Sequence, residues 1–140
     1  VDYKTRKLQR PDRALSYLNA TFPETRALEK NAAKVPPLPA DNRMTMEMTA
    51  SLGDIDINLH VNNARYIHWV TGTYEPEFIM THVPLTAEVN YLAEGYREDK
   101  IIIITAPEEN SDSTFIHSVM RKDDNCELCR IRIKWREQKL

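Results

Sequence analysis

Asp56, Asn58 and His60 follow one another at two-residue spacing in the segment GDIDINLHVNNARYIHWV, Gly53 to Val70. Polar and apolar residues alternate from Asp54 to Val61, so an extended chain puts Asp54, Asp56, Asn58 and His60 on one face. A histidine held near a carboxylate and an amide has the parts of a general base. After His60 the apolar residues change to helical spacing, with Tyr66, Ile67, Val70 and Tyr74 on one stripe. Asn62 or Asn63 can cap that helix through its amide oxygen. A helix start offers unpaired N–H groups and the positive end of the dipole, which together stabilise a developing oxyanion. A base beside an oxyanion stabiliser is what acyl transfer needs. The sequence has no G-x-S-x-G nucleophile elbow and no cysteine near the row, which leaves activated water as the most economical nucleophile. A second reading fits the same row: a solvent-facing strand that runs into a helix cap.

The elements around this row are legible from residue 43 onward. RMTMEMTAS alternates, with Met44, Met46, Met48 and Ala50 on one face, and reads as a half-buried strand. NNARYIHWVTGTY reads as a helix, and EPEFIMTHV adds a short helical turn. Four strands follow: TAEVNYLAE, KIIIITAPE, STFIHSVMR and NCELCRIRIKW. APEENSDS and RKDDN separate the last three as hairpin turns. One helix and about five antiparallel strands make an α+β domain over residues 43–140. Four consecutive isoleucines in KIIIIT predict burial on both faces, and hence a partner packed on the sheet. Before residue 43 the composition changes. VDYKTRKLQRP reads as the end of a strand, PDRALSYLN and ETRALEKNAAK as short helices, and KVPPLPAD as an extended linker.

Composition sets outer limits. The chain has 140 residues, 41% hydrophobic and 29% charged, with a net charge of −2. That balance argues against bulk binding of nucleic acid or an acidic membrane. No apolar run approaches the ~20 residues that span a bilayer, and the charged N-terminus does not read as a signal peptide. Cys126 and Cys129 form a C-x-x-C, but on a strand residues three apart face opposite ways, so two reduced thiols of a cytoplasmic protein are expected. Arg130, Arg132, Lys134 and Arg136 form a basic row on the last strand. It reads either as a solvated outer face guarding an edge or as a docking surface for an acidic partner. His68, His82 and His117 have no metal-ligand spacing, so neither metal nor organic cofactor is expected.

DIDINLHVNNARYIHWV resembles the motif of the acyl-ACP thioesterases, D-x-D-x-N-x-H-V-N-N with a tyrosine three residues on, here Asp54 through Asn63 and Tyr66. VNYLAEGYREDKI is similar to the strand that carries that family's catalytic glutamate, which falls on Glu94. TFPETRALEKNAAKVPPLP resembles the stretch between the family's two hotdog domains. The resemblance implies a hotdog fold, a long central helix wrapped by the sheet. It also implies hydrolysis of fatty acyl-ACP in fatty acid biosynthesis, with acyl carrier protein and its phosphopantetheine arm as partner. It makes Asp56, Asn58, His60 and Glu94 the catalytic candidates, and Val61, Asn62 and Asn63 the substrate-binding ones. Many plant members carry a cysteine immediately after the glutamate; this chain has Gly95, so a cysteine mechanism at that position is excluded. Strand parity turns Glu94 away from the face of Val89, Tyr91 and Ala93. Residues 1–42 are expected to be the end of a preceding hotdog domain and a linker. The missing partner is then either that first domain, absent from a fragment, or a second copy in a homodimer; the long linker favours the fragment. An acyl-CoA thioesterase and a non-catalytic acyl-binding half remain the alternative functions.

Overall fold

The structure is a computed structural model that describes residues 33–138. The described residues form one compact unit. The expected strand end and two helices at the N-terminus lie outside the described residues. Five strands form one antiparallel sheet: β1 (Met44–Thr49), β2 (His82–Tyr91), β3 (Lys100–Pro107), β4 (Thr114–Arg121) and β5 (Cys126–Glu137), in the order β1-β3-β4-β5-β2. Both expected hairpins are present, with Ile101 paired to Arg121 at one end of β3–β4 and Arg121 to Cys126 at the start of β4–β5.

The helix is shorter than a long central one. Helix α1 runs Asn63–Thr71, and after a break α2 takes Pro76–Thr81. At the end of α1 the His68 carbonyl accepts from Gly72 N–H and from the Thr71 hydroxyl, and the Val70 carbonyl from Thr73 N–H and the Thr73 hydroxyl, so the last turn tightens to i→i−3 bonds and closes the helix at Gly72. Tyr66, Trp69 and Val70 bury the inner face of α1 against Ile101, Ile103, Val119, Ile131 and Ile133. Each such side chain contributes about 1.5–3 kcal/mol on burial.

Expectations about strand faces change on three strands. β1 is an edge strand paired only to β3, and Met44 and Met46 remain exposed where a half-buried face was expected. Ile101 and Ile103 are buried, whereas Ile102 and Ile104 are only partly covered, so the isoleucine run keeps a strand's two unequal faces. β5 is an inner strand between β4 and β2, not an edge, and two of the four cations of its basic row are paired within the sheet. Arg130 pairs with Glu127, and Arg132 with Glu88 and Glu108. A bulge explains the first pair. Val119 faces Cys129 and Met120 faces Glu127, so Leu128 is an extra residue. It reverses parity, and Glu127 and Arg130, three apart, share a face. Cys126 and Cys129 accordingly both pack on the core side as free thiols, and the divergence expected of them does not occur. Burial pushes the Cys129 thiol up to about 12, which makes it inert at neutral pH.

The proline-rich stretch lies on the sheet's outer face. Val35 is buried there, its N–H donating to Asn90 Oδ1 at 2.8 Å and its carbonyl accepting from Arg130 Nη1 at 3.3 Å. A second buried cluster sits at the far end of α1. Tyr74 stacks on Phe78, and its hydroxyl meets Trp135 Nε1 at 3.0 Å and His117 Nε2 at 2.9 Å. His117 Nδ1 lies 2.8 Å from Thr105 Oγ1, so a neutral imidazole protonated at Nδ1 satisfies every member of the chain.

Candidate active site

The alternating row is not a strand. Residues 54–62 fold into a tight loop, with one antiparallel bridge between Ile55 and Val61 and hydrogen bonds from Asn62 N–H to Asp54 O and from Asp56 N–H to His60 O, both 2.8 Å. Leu59 takes a left-handed φ of 65° to close the turn. Ile57 and Leu59, which the alternation would bury, are 98% and 75% exposed at its tip. The Asp56 carboxylate holds the loop from inside. Its Oδ1 accepts from the backbone N–H of Asn58 at 2.7 Å and of His60 at 3.4 Å. These bonds, the one from Asn58 foremost, hold the carboxyl below the usual aspartate range. Asp56 therefore positions the backbone of His60.

Asp54, first of the row, leaves the face altogether. It is buried under α1, where Oδ2 accepts from Ser51 N–H (2.8 Å) and Oγ (2.7 Å), and Oδ1 from Arg65 Nε (2.7 Å) and Trp69 Nε1 (3.3 Å). Burial would raise its pKa, but the Ser51, Arg65 and Trp69 donors outweigh it and the net shift is downward. Asp54 ties the loop to the helix and so sets where His60 stands.

Glu94 reaches the site because β2 ends before it. The N–H groups of Leu92 and Ala93 both point at Leu128 O, at 2.9 and 3.2 Å, so two residues share one acceptor and the parity that turned Glu94 away is lost. Glu94 Oε2 stands 3.3 Å from His60 Nε2. The histidine is four-fifths covered, and the carboxylate is more than half exposed. Gly95 follows, buried, its carbonyl accepting from Val61 N–H at 2.8 Å.

His60 and Glu94 line a cavity of about 280 Å³ together with Asp56, Val61 and Asn63. Two expected residues stand outside this lining. Asn58 is exposed, with its amide beside Asp56, and Asn62 spends its amide oxygen capping α1 through Ala64 N–H at 2.9 Å. Tyr66, Tyr91, Leu92 and Ala93 complete the wall and were not singled out as site residues from the sequence. Tyr91 bonds the carbonyl of Asn63 at 3.1 Å, a contact across 28 residues that no local pattern encodes. Asn63 opens α1, so the positive end of the helix dipole lies in the cavity wall. Among the described residues no group of three or more His, Cys, Asp or Glu side chains could hold a metal ion.

The chain resembles proteins of known family. The profile of the acyl-ACP thioesterase C-terminal domain matches residues 39–137. The chain is 28% identical to the palmitoyl-acyl carrier protein thioesterase of Cuphea hookeriana over 143 residues, 97% of this chain and 34% of that protein. It is 29% identical to the oleoyl-acyl carrier protein thioesterase 2 of Arabidopsis thaliana over 168 residues, 99% of this chain and 46% of that protein. It therefore spans about a third to a half of the length of these relatives. The crystal structure of an acyl-ACP thioesterase from Bacteroides thetaiotaomicron superposes with a TM-score of 0.67 at 26% identity, covering 81% of this chain and 44% of that one. The 4-hydroxybenzoyl CoA thioesterase shares the hotdog fold alone, with a TM-score of 0.57 at 16% identity over 68% of this chain and 83% of that one. With its motif, its hotdog sheet and a domain match over most of its length, the chain belongs to the acyl-ACP thioesterase family, through that family's C-terminal domain.

Proposed function

We propose that this chain carries the catalytic half of a thioester hydrolase that releases fatty acids from acyl carrier protein, with the acyl group presented on the phosphopantetheine arm. The observation that carries this reading is the 3.3 Å approach of His60 Nε2 to Glu94 Oε2 in a cavity whose wall includes the start of α1. The pair takes a proton from water as its oxygen bonds to the thioester carbon. The carbonyl oxygen becomes an oxyanion facing the positive end of the helix, with Asn63 at its first position. Collapse breaks the carbon–sulfur bond, and the proton held by His60 passes to the leaving thiolate. Asp56 keeps His60 in place through its backbone, and Asn58 acts on Asp56. Val61 packs beneath the site, and Asn62 and Asn63 shape the helix start.

The first hotdog domain of the tandem arrangement, or a second copy of this chain, completes the acyl tunnel. The proposal is tested by free-thiol release from medium- and long-chain acyl-ACP, with acyl-CoA alongside to separate the carriers. His60→Ala should lower the rate by about two orders of magnitude or more, the scale of a lost general base. Unchanged hydrolysis in that variant would remove the catalytic assignment. Preference for acyl-CoA would keep the chemistry and change the carrier.

A further inference from the structure

Tyr96 lies outside the motif and outside the cavity lining, yet it touches both members of the His60–Glu94 pair. Its hydroxyl donates to Glu94 Oε2 at 3.1 Å, the same oxygen that His60 Nε2 approaches. Its ring stands edge-on to the His60 imidazole, with centroids 5.3 Å apart and planes at 80°. The backbone beneath it is fixed. Tyr96 N–H donates to Asp99 Oδ2 at 2.8 Å, and Asp99 N–H returns to Tyr96 O at 3.3 Å. Arg121 reaches across from β4 to bond Asp99 Oδ2 at 3.3 Å and Glu94 O at 3.2 Å. The turn over residues 94–99 is thus held at both ends, and the phenol has a set direction.

Glutamate needs that help here. Its side chain has three rotatable bonds and is 57% exposed, so packing alone does not choose its rotamer. A tyrosine has two, and a phenol donating to a carboxylate makes a charge-assisted bond that favours one orientation of the acceptor. We propose that Tyr96 is a positioning residue, whose hydroxyl holds the Glu94 carboxylate against His60 so that the pair meets water already aligned. This inference rests on the thioesterase reading of the same site.

The test uses the complete polypeptide that carries this sequence, assayed for thiol release from acyl-ACP with Tyr96→Phe, Tyr96→Ala and His60→Ala side by side. Tyr96→Phe keeps the ring on His60 and removes only the hydroxyl. The expected result is a roughly ten-fold loss of kcat in both tyrosine variants, less than the roughly hundred-fold or more of a lost general base, because the pair is misaligned and not removed. KM should stay within two-fold, and the Tm of Tyr96→Phe should match the parent. A parental kcat in Tyr96→Phe would overturn the inference, whether or not Tyr96→Ala loses activity, because the hydroxyl would then do nothing. A loss of kcat that follows a lowered Tm or a raised KM would overturn it too, since a mere prop of the turn behaves that way. Failure of the underlying reading is seen separately, as parental hydrolysis by His60→Ala.

Discussion

The hydroxyl of Tyr66 occupies the space that a side chain on residue 95 would need. A Cβ on Gly95 would lie 2.7 Å from Tyr66 Oη, 3.1 Å from Val61 Cγ2 and 3.3 Å from Leu128 Cδ1. Tyr66 is itself buried in the core, and burial pushes its phenol up to about 12. The position after the glutamate, a cysteine in many plant members of the family, is here a contact that only glycine permits. Gly95→Ala should destabilise the fold by about 1–3 kcal/mol, the usual cost of overpacking. Tyr66→Phe removes the nearest atom, so the double variant should recover part of that loss in urea unfolding. Additive losses would mean that the clash is relieved elsewhere.

Asp54 gives a prediction in pH. Its carboxyl is nearly buried and titrates below the ordinary aspartate value, because the donors around it outweigh the burial. The unfolded chain binds its proton first as pH falls, so the stabilisation is complete above about pH 4 and is lost as pH drops through the folded value. Asp54→Asn should therefore cost about 2 kcal/mol at neutral pH, for lost charge-assisted bonds to Ser51 and Arg65. The gap between variant and parent should narrow below about pH 4. A gap that stays constant to pH 3 would contradict the role of charge.

His117 also loses stability on acidification, but because burial disfavours its charged form. Burial pushes its imidazole down to about 3, while the unfolded chain protonates near the ordinary histidine value of 6.5. Between those limits the unfolded state binds the extra proton, so each pH unit below about 6.5 costs ~1.4 kcal/mol of stability. His117→Gln should be less stable at pH 8 and show a flatter fall from pH 6.5 to 4. An unchanged slope would mean that His117 takes up its proton in the folded state.

Arg132 separates the two readings of the basic row. Its guanidinium pairs with Glu88 across to β2 and with Glu108 after β3, and these carboxylates first of all raise its pKa. Arg132→Glu would set three carboxylates together, and should cost about 2 kcal/mol and several degrees in Tm. KM for acyl-ACP should hold if the arginine serves the sheet. A raised KM at constant Tm would instead make the row a carrier-docking face.

The hairpins and the inner face of α1 were legible because turn residues and apolar periodicity report them directly. The loop at 54–62 was not, because its alternation mimics a strand. What folds it is the carboxylate of Asp56 and a left-handed Leu59, a residue that carries no turn signal. The same limit explains Glu94 and the cysteines. Parity arguments assume an unbroken ladder, and the bulge at Leu128 breaks it on both sides, reversing Glu127 against Arg130 and letting Leu92 and Ala93 share one acceptor. Of the candidate site, Asp56, His60, Val61, Asn63 and Glu94 line one cavity, while Asn58 and Asn62 serve the loop and the helix cap. Tyr91 and Leu92 come from the end of β2, which only the tertiary fold brings to the start of α1.

The central claim is that His60 and Glu94 act on one water as a unit. Single-turnover thiol release from acyl-ACP by His60→Ala, Glu94→Ala and the double variant measures this most directly. The account predicts that each single change costs about two orders of magnitude or more and that the double change costs little beyond the larger of them. Fully additive losses, or a single variant at the parental rate, would contradict it.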